Sequence, residues 1–418
     1  MSAAARTKTV RHHVRRVVVT PVQRFMEIEA AGGLVLVAAA VVAIAWANGP
    51  FGDSYHDLWT RIVTFDVGPI HISEPLEGWV NDALMTIFFF VVGLEIKREA
   101  VTGELRDPRT AALPIFAALG GMIVPAGIYF ALNGGGAGSD GWGIPVATDI
   151  AFAVGILTLL GRRVPTGLKI FLLTLAVADD IGGIVIIAIF YTADLSVGWL
   201  LTAFAALGAV GLMRRIGIPS ILAYVPVGAV AWYAMLESGV HATIAGVILG
   251  LITPAHPVKG RDVLHTLEDR LAPWSSFLIV PIFALANAGV ELGGGVLGDA
   301  LSSPVTWGVT AGLLVGKTVG ITIATLAAAR IGIGRLPVGV GSRHVVGVGI
   351  LGGVGFTVAL FIAALSFPAV HGHVNVLLEE AKIGVFVGSL ASGLLGAAWL
   401  LWVAPRPVVE ATTADSTA

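Results

Sequence analysis

The chain is a succession of long apolar stretches separated by short polar segments. A transmembrane helix needs about 20 mostly apolar residues to cross a bilayer. The stretches that meet this requirement are residues 30–48, 78–97, 110–132, 142–160, 167–191, 196–213, 217–235, 238–254, 274–291, 305–329, 344–367 and 379–404. We number them spans 1 to 12. They predict an all-α polytopic membrane protein with twelve transmembrane helices.

Basic residues indicate how these spans are oriented. With the N-terminus in the cytoplasm, 22 of the 25 Lys and Arg residues fall on the cytoplasmic side, only Arg61 falls outside, and Lys317 and Lys382 fall within spans. Cytoplasmic loops are enriched in Lys and Arg, and a missed span would destroy this alternation. We therefore expect a multi-pass membrane protein with both termini in the cytoplasm.

Composition agrees with a membrane protein and excludes several functions. Hydrophobic residues make up 56% of the chain and charged residues only 12%, about half the share in soluble domains. The absence of Cys rules out disulfides and thiol catalysis, and a net charge of −2 gives no sign of a nucleic-acid partner. Residues 1–28 are basic and lack the apolar core of a signal peptide. We expect a cytoplasmic arm at 1–28, a transmembrane domain at 29–404 and a cytoplasmic tail at 405–418.

Two segments between spans have patterns of their own. The outer loop at 61–74 has short alternating apolar runs on either side of Gly68-Pro69, which predicts a β-hairpin. In the inner loop at 261–274, apolar residues recur at helical spacing. This spacing predicts an amphipathic helix lying at the cytoplasmic surface of the membrane.

Adjacent carboxylates, Asp179 and Asp180, lie in the middle of span 5. A charge at the centre of a bilayer costs about 2.5–3.5 kcal/mol on insertion scales. Two carboxylates in one cavity repel each other, and binding a proton or a hard cation such as Na⁺ relieves the repulsion. Because the two ligands compete for one site, the pair predicts an ion exchanger. Lys317 lies in the middle of span 10. The alternative to a role in transport is a purely structural one, in which Lys317 forms an ion pair with an Asp residue and so joins two helices.

Gly and Pro residues predict breaks in two spans. Span 4 carries Pro145 just before Thr148 and Asp149, and five glycines crowd the first half of span 11, between residues 347 and 355. Unwound backbone at membrane depth is tolerated where it lines a cavity. Spans 4 and 11 run in opposite directions, so spans 3–5 and 10–12 are predicted to be inverted repeats with crossed breaks. Asp149 would then offset the positive helix ends, and Lys317 would offset the negative ends or pair with the aspartates.

Several segments resemble the NhaA family of bacterial Na⁺/H⁺ antiporters. They are "VNDALMTIFFFVVGLEIKRE", "VATDIAFAVGIL", "LLTLAVADDIGGIVIIAIFYT", "SGVHATIAGVI", "PIFALANAGV" and "GILGGVGFTVALFI". The resemblance extends from about residue 22 to residue 402. It implies a bacterial inner-membrane protein that exchanges Na⁺ or Li⁺ electrogenically for a larger number of protons. It also implies a homodimer joined through the hairpin at 61–74, and no cofactor is expected.

The resemblance also assigns residues to roles. Asp179 and Asp180 would bind the transported ion and the protons, with support from Asp149, Thr148 and Lys317. Four further residues match positions linked to the pH response: Glu95, Glu99, His241 and Glu268. The chain departs from the family pattern at Thr318, because the family commonly has proline after this lysine.

Other function classes fit the sequence less well. An intramembrane aspartyl protease would need a Gly-x-Gly-Asp signature that the chain lacks, and a retinal-type pump would have seven spans. A passive channel usually builds its path from several subunits. The remaining alternative is a symporter that couples protons to a small organic ion, for which the spans offer few Asn, Gln or Arg ligands. We therefore expect a transporter and not an enzyme.

Overall fold

The computed structural model describes residues 19–403, except 69, 193, 219, 259, 261, 294 and 369–374. The α-helices of the first half are Val19–Ala47, Gly52–Trp59, Leu76–Trp79, Met85–Val101, Pro108–Asn133, Ile150–Leu159, Thr166–Phe190 and Val197–Arg215. Those of the second half are Tyr224–Leu236, Thr243–Ile252, Val263–Trp274, Val280–Asn287, Val296–Ser302, Pro304–Ala311, Lys317–Arg330, Ser342–Leu351, Phe356–Ser366 and Val376–Val403. Described π-helical turns lie at Val80–Leu84, Ser275–Ile279 and Gly312–Gly316, and described 3-10 helices at Glu104–Arg106, Ser139–Val146, Gly161–Arg163 and Ile221–Ala223.

The predicted terminal segments are only partly covered. Residues 1–18 of the arm and the whole tail at 405–418 lie outside the described residues, whereas residues 19–28 form the beginning of the first helix. The first apolar span within that helix is Glu29–Ala47.

The helices reproduce the predicted pattern of spans. Among the described residues, nine helices are long and apolar enough to cross a membrane, and the bent pair Ser342–Leu351 and Phe356–Ser366 adds a tenth. These ten coincide with spans 1–6 and 9–12, which confirms the all-α membrane fold. Spans 7 and 8 correspond to the shorter apolar helices Ile221–Leu236 and Thr243–Ile252. The count of twelve crossings therefore stays a prediction.

Span 9 differs from the prediction at its beginning. The segment 261–274 was expected to form an amphipathic helix at the cytoplasmic surface of the membrane; the helix is present as Val263–Trp274, and its place at the surface stays a prediction. Helix Val263–Trp274 continues through the π-helical turn at Ser275–Ile279 into helix Val280–Asn287. Its buried side includes Leu264 and Glu268 and packs against span 2. The apolar spacing thus reflects packing against the protein.

Spans 4 and 11 are broken in the middle, as predicted. Span 4 consists of the 3-10 helix Ser139–Val146, non-helical residues 147–149, and helix Ile150–Leu159. The two helices of span 11 are bent by 48° relative to each other. Pro145 has no backbone N–H to donate, and three of the four residues in the span 11 break (352–355) are glycine, a poor helix former. Local sequence therefore disfavours a continuous helix at both places.

Spans 3 and 10 touch through their backbones. A Cβ atom at Gly120 would collide with the carbonyl oxygen of Gly320, and a Cβ atom at Gly320 would collide with the carbonyl oxygen of Gly120. Such a reciprocal contact is what a two-fold relation between spans 3–5 and 10–12 produces. Small residues allow this close approach of helices in membranes.

The outer loop forms the predicted hairpin. Strands β1 (Ile62–Val67) and β2 (Ile70–Pro75) pair antiparallel, with Ile62 opposite Pro75 and Val67 opposite Ile70. Gly68 in the turn has φ of +61°, in the region that favours glycine. Ile62 and Phe65 of β1 are exposed, so the ribbon presents apolar side chains on its surface.

We expect Gly120→Val to destabilise the protein, because the side chain has no space between spans 3 and 10. Overpacking of this kind typically costs about 1–3 kcal/mol. Gly127→Val in the same helix is the matched control, since nothing lies within 4 Å of a Cβ there. Thermal unfolding in detergent should show a lower Tm for Gly120→Val only. Equal Tm values for the two variants would contradict the backbone contact.

Candidate ion-binding site

The breaks of spans 4 and 11 cross in the interior, and Asp149 lies at the crossing. Its backbone N–H donates to the carbonyl of Val354 at 2.6 Å. Its carboxylate accepts hydrogen bonds from the N–H of Phe152 at 3.1 Å, the N–H of Thr357 at 3.1 Å and the hydroxyl of Thr357 at 2.6 Å. Phe152 and Thr357 belong to the first turns of helices Ile150–Leu159 and Phe356–Ser366. Helix N-termini carry partial positive charge, so this one carboxylate offsets two of them.

Other side chains satisfy the backbone groups that the breaks expose. The hydroxyl of Thr148 donates to the carbonyl of Gly352 at 2.8 Å. The hydroxyl of Ser389 in span 12 accepts from the N–H groups of Gly355 and Phe356, each at 3.2 Å. Irregular backbone persists at membrane depth only where such partners exist. The crossing is thus held by side chains of spans 4, 11 and 12.

Lys317 and Asp179 form a buried ion pair. Nζ of Lys317 lies 2.6 Å from Oδ2 of Asp179, and both side chains are completely buried. The other oxygen, Oδ1, has no hydrogen-bond partner among the described residues. Lys317 follows directly on the π-helical turn Gly312–Gly316, a feature often found at functional sites. Thr318, where the family commonly has proline, lies within helix Lys317–Arg330. Its hydroxyl donates to the carbonyl of Leu314 at 2.5 Å.

Asp180 lines a cavity between spans 1, 2, 4, 5, 9 and 11. The cavity measures about 50 Å³, counted as the space open to the centre of a water molecule. A single water needs about 10–15 Å³ on this measure, so a few waters or a partly hydrated cation fit. The charged residues that line it are Glu29, Glu95, Asp149 and Asp180, and all four are acidic.

The two adjacent aspartates therefore have different surroundings. Neighbouring residues on a helix point about 100° apart. Asp180 and Thr148 line the cavity, whereas Asp179 packs against Lys317 beside it. Within the described residues, no group of three or more His, Asp or Glu side chains is arranged to hold a metal ion.

The four residues that the family resemblance links to the pH response lie in three places. Glu95 lines the cavity. Glu99 and Glu268 contact the guanidinium of Arg98: Glu99 at 3.2 Å, and Glu268 through its Oε1. His241 lies apart, with Nε2 at 2.7 Å from the carbonyl oxygen of Tyr191, the residue directly after helix Thr166–Phe190. The structure thus groups Glu99 and Glu268 and separates His241 from them.

Sequence reasoning missed three polar residues at the site. Glu29 lines the cavity and accepts a hydrogen bond from Ser276 at 3.0 Å. Thr357 donates to Asp149. Glu29 escaped notice because it stands at the very beginning of span 1, where charged residues are common. The polar pair Ser275–Ser276 inside the apolar span 9 was a signal that could have been used.

Comparison with known proteins places these features in a family. The sequence model of the family Na⁺/H⁺ antiporter 1 matches residues 23–400. The chain is 45% identical over 423 aligned residues to the Na⁺/H⁺ antiporter NhaA of Oleidesulfovibrio alaskensis, covering 90% of this chain and 92% of that protein. It is 48% identical to the Na⁺/H⁺ antiporter NhaA 2 of Pseudomonas syringae pv. syringae, covering 92% and 96% of the two chains.

Solved structures give the same fold at greater distance. The sodium proton antiporter MjNhaP1 from Methanocaldococcus jannaschii superposes with a TM-score of 0.55 at 15% identity, covering 91% of this chain and 97% of that chain. This likeness supports the helical membrane architecture. With the family match over residues 23–400 and relatives 45–48% identical over at least 90% of the chain, it is clear that the chain belongs to the Na⁺/H⁺ antiporter 1 family.

Proposed function

We propose that this chain exchanges Na⁺ or Li⁺ for protons electrogenically, with Asp180 as the group that binds each ion in turn. The observation that carries the proposal is the carboxylate of Asp180 in a small acidic cavity at the crossing of two broken spans. Among the described residues, the nearby ammonium group of Lys317 pairs with Asp179, and Asp180 lines the cavity instead. It is therefore available for a cargo ion.

Competition at Asp180 couples the two ions. A carboxylate at membrane depth is strongly disfavoured when it is charged and unpaired, so either a proton or a cation must neutralise it. Na⁺ is a hard cation that prefers oxygen ligands, and the carboxylate and hydroxyl oxygens of Asp180 and Thr148 provide them. Binding of Na⁺ displaces the proton from Asp180, and proton binding expels Na⁺.

Asp179 and Lys317 supply the second charge of an electrogenic cycle. Their contact is a single ion pair of two fully buried groups, and Oδ1 of Asp179 lacks a hydrogen-bond partner among the described residues. In the proposed cycle, Asp179 is protonated in the proton-loaded state and ionised, paired with Lys317, in the Na⁺-loaded state. More than one proton per Na⁺ would then cross the membrane, which makes the exchange electrogenic.

Alternating access follows from the arrangement of the repeats. Spans 3–5 and 10–12 surround the crossing, and rocking of such repeats against the rest of a transporter exposes a fixed site to each side in turn. A cavity of about 50 Å³ favours an inorganic cation. An organic ion, the alternative cargo, would need a larger site with more hydrogen-bonding groups.

The location and assembly follow from the sequence and the hairpin. The distribution of Lys and Arg supports a bacterial inner-membrane protein with both termini in the cytoplasm, a cytoplasmic arm at 1–28 and a cytoplasmic tail at 405–418. The free edges of β1 and β2 can pair with those of a second copy about a two-fold axis. We therefore propose a homodimer joined through the hairpin at 61–74 and surrounded by membrane lipid.

The pH response is proposed to reside in the acidic residues at the inner ends of spans 2 and 9. Glu99 and Glu268 share the guanidinium of Arg98, and Glu95 lies between this cluster and Asp180. A change of charge here alters the potential at the cavity. His241 is proposed to act separately, from its position near the outer end of span 5.

Asp180→Asn should weaken Na⁺ binding by about 100-fold or more, since removing one partner of a buried charge pair costs about 2–5 kcal/mol. It should also abolish the proton release that accompanies binding. Asp179→Asn should remove one proton from the exchange and change its charge stoichiometry. The measurement is isothermal titration of Na⁺ or Li⁺ at several pH values, in buffers of different ionisation enthalpy. In the unmodified protein, the apparent Kd should fall up to about tenfold per pH unit for each proton displaced.

Asp299→Asn, at an exposed residue of the short helix Val296–Ser302 before span 10, is the matched control and should bind Na⁺ normally. Normal Na⁺ binding in Asp180→Asn, or binding without proton release in the unmodified protein, would contradict the shared site.

Lys317→Ala should lower stability, because it leaves Asp179 buried without a partner. Breaking a buried pair in this way costs about 3–5 kcal/mol. Lys317→Arg should keep more of the stability, since the charge remains. The double variant Lys317→Ala/Asp179→Ala should be more stable than Lys317→Ala alone, because no uncompensated charge is left. Thermal unfolding in detergent measures all three, and equal Tm values for Lys317→Ala and the unmodified protein would contradict the role of the pair.

Glu268→Gln should move the pH profile of exchange to lower pH by a fraction of a unit without abolishing transport. Losing a negative charge near the cavity makes protons leave its carboxylates more readily. Asp269→Asn removes a charge from the adjacent, exposed position and should have a smaller effect. Na⁺-dependent dissipation of a pH gradient in proteoliposomes gives both profiles. Coincident profiles for Glu268→Gln and the unmodified protein would remove Glu268 from the pH response.

A further inference from the structure

We propose that the π-helical turn Gly312–Gly316 of span 10 couples the breaks of spans 4 and 11 to the Lys317–Asp179 pair, with Gly312 as the positioning residue for Lys317. This inference rests on the proposed function, in which that pair carries the additional proton. Neither the sequence pattern nor the family resemblance assigned a role to this turn. The turn touches both breaks and ends directly before Lys317.

The backbone of Lys317 is held by Gly312. The N–H of Lys317 donates to the carbonyl of Gly312, five residues earlier. This bond makes the turn one residue wider than an α-helical turn, and such single π-helical turns are frequent at functional sites. The helix Lys317–Arg330 begins directly after the turn. A displacement of Gly312 therefore moves the first residue of that helix, which is Lys317.

Gly312 lies against the break of span 4. A Cβ atom at this position would come within 2.6 Å of Cβ and 2.8 Å of Cγ of Pro145. Pro145 belongs to the 3-10 helix Ser139–Val146, just before the non-helical residues 147–149. Non-bonded carbon atoms normally stay about 3.5–4.0 Å apart, so even the smallest side chain at position 312 would push the turn and the break apart. Glycine lets the two touch, and through this contact a movement of the break reaches the turn.

Leu313, the next residue of the turn, touches the break of span 11. A Cβ atom at Gly353 would collide with the carbonyl oxygen of Leu313, and one at Gly355 would come within 2.9 Å of its Cδ2. Both glycines belong to the break at 352–355, and the side chain of Leu313 is completely buried. The first two residues of the turn thus contact one break each, so a relative movement of the two breaks displaces the turn.

The Lys317–Asp179 pair tolerates little movement. Nζ of Lys317 lies 2.6 Å from Oδ2 of Asp179, and both side chains are completely buried. The stem of Lys317 lies against span 3, where a Cβ atom at Gly121 would be 3.6 Å from its Cδ. At the end of the turn, a Cβ atom at Gly316 would come within 2.7 Å of Cα of Pro125. Because two groups about 3.6 Å apart no longer form a hydrogen bond, a shift of the turn on the order of 1 Å is enough to separate the pair.

The turn therefore links the cargo site to the charge of Asp179. Asp149 stands in the break of span 4 and lines the cavity. When binding of the cargo ion moves this break, Gly312 moves with it, and the distance between Lys317 and Asp179 changes. A nearby positive charge favours the ionised carboxylate, so Asp179 gives up its proton only while Lys317 is in place. A purely structural turn would affect stability and leave the number of released protons unchanged.

The test counts the protons that Na⁺ binding releases, by isothermal titration in buffers of different ionisation enthalpy. Gly312→Ala should lose up to about one proton per bound Na⁺, because Lys317 is displaced and Asp179 stays protonated. Pro145→Gly removes the contact from the other side and should act in the same direction. The double variant Gly312→Ala/Pro145→Gly exchanges the bulk across the contact and should release more protons than either single variant.

Gly308→Ala is the matched control, in helix Pro304–Ala311 directly before the turn. A Cβ atom there would collide with the side chain of Asn133, so this variant should lower the Tm without changing the number of protons released. Gly312→Ala combined with Asp179→Asn should release as many protons as Asp179→Asn alone, since both changes remove the same proton.

A proton count in Gly312→Ala equal to that of Gly308→Ala would overturn the inference, whatever the Tm. If Gly312→Ala is too unstable to purify, Pro145→Gly decides in its place, and an unchanged count there overturns the inference. If Asp179→Asn loses a proton while Gly312→Ala and Pro145→Gly behave like the control, the inference fails and the proposed function stands. If Asp179→Asn releases as many protons as the unmodified protein, the pair carries no proton, and the proposed electrogenic cycle fails together with the inference.

Discussion

The crossing of spans 4 and 11 depends on the charge of Asp149. Two helices begin there, and each presents unpaired N–H groups and a partial positive charge inside the membrane. The carboxylate accepts from both helices, through Phe152 and Thr357. Without it, the donors at both helix N-termini would lose an acceptor in a place that water reaches poorly. This interaction stabilises irregular backbone at membrane depth, and the cavity lies directly beside it.

The surrounding helices keep that crossing in place by close backbone contact. Spans 3 and 10 meet at Gly120 and Gly320, and Gly316 lies against Pro125. These contacts set the position of Lys317, which immediately follows Gly316 and reaches Asp179. Asp149 and Asp179 are therefore neutralised by the protein itself, the first by helix ends and the second by a lysine. Among the described residues, Lys317 pairs with Asp179 and not with Asp180, which lines the cavity, and this difference is the reason for proposing Asp180 as the residue that binds the cargo ion.

Much of this arrangement could be predicted from the sequence. Apolar length located the spans, and Pro145 and the glycines at 352–355 located the breaks, because these effects act locally along the chain. Which aspartate faces the cavity could not be predicted, because it depends on the rotation of span 5 against spans 4 and 10. The sequence also gave no sign that Glu29, at the beginning of span 1, is buried, because that burial comes with the contact to Ser276, 247 positions away. The continuity of span 9 was misjudged because a π-helical turn leaves no clear signature beside Pro273.

In the proposed mechanism, the acidic cavity that binds the cargo ion also disfavours movement of the empty transporter. Closing the cavity around an ionised Asp180 would leave a buried charge unpaired, at a cost of several kcal/mol. Each 1.4 kcal/mol slows a step about tenfold, so a penalty of about 3 kcal/mol makes the empty transition about a hundred times slower than the loaded one. A proton or a Na⁺ removes the penalty equally well. In this proposal, desolvation enforces exchange at Asp180: its carboxylate crosses only when a proton or a Na⁺ neutralises it, and the Asp179–Lys317 pair carries the additional proton.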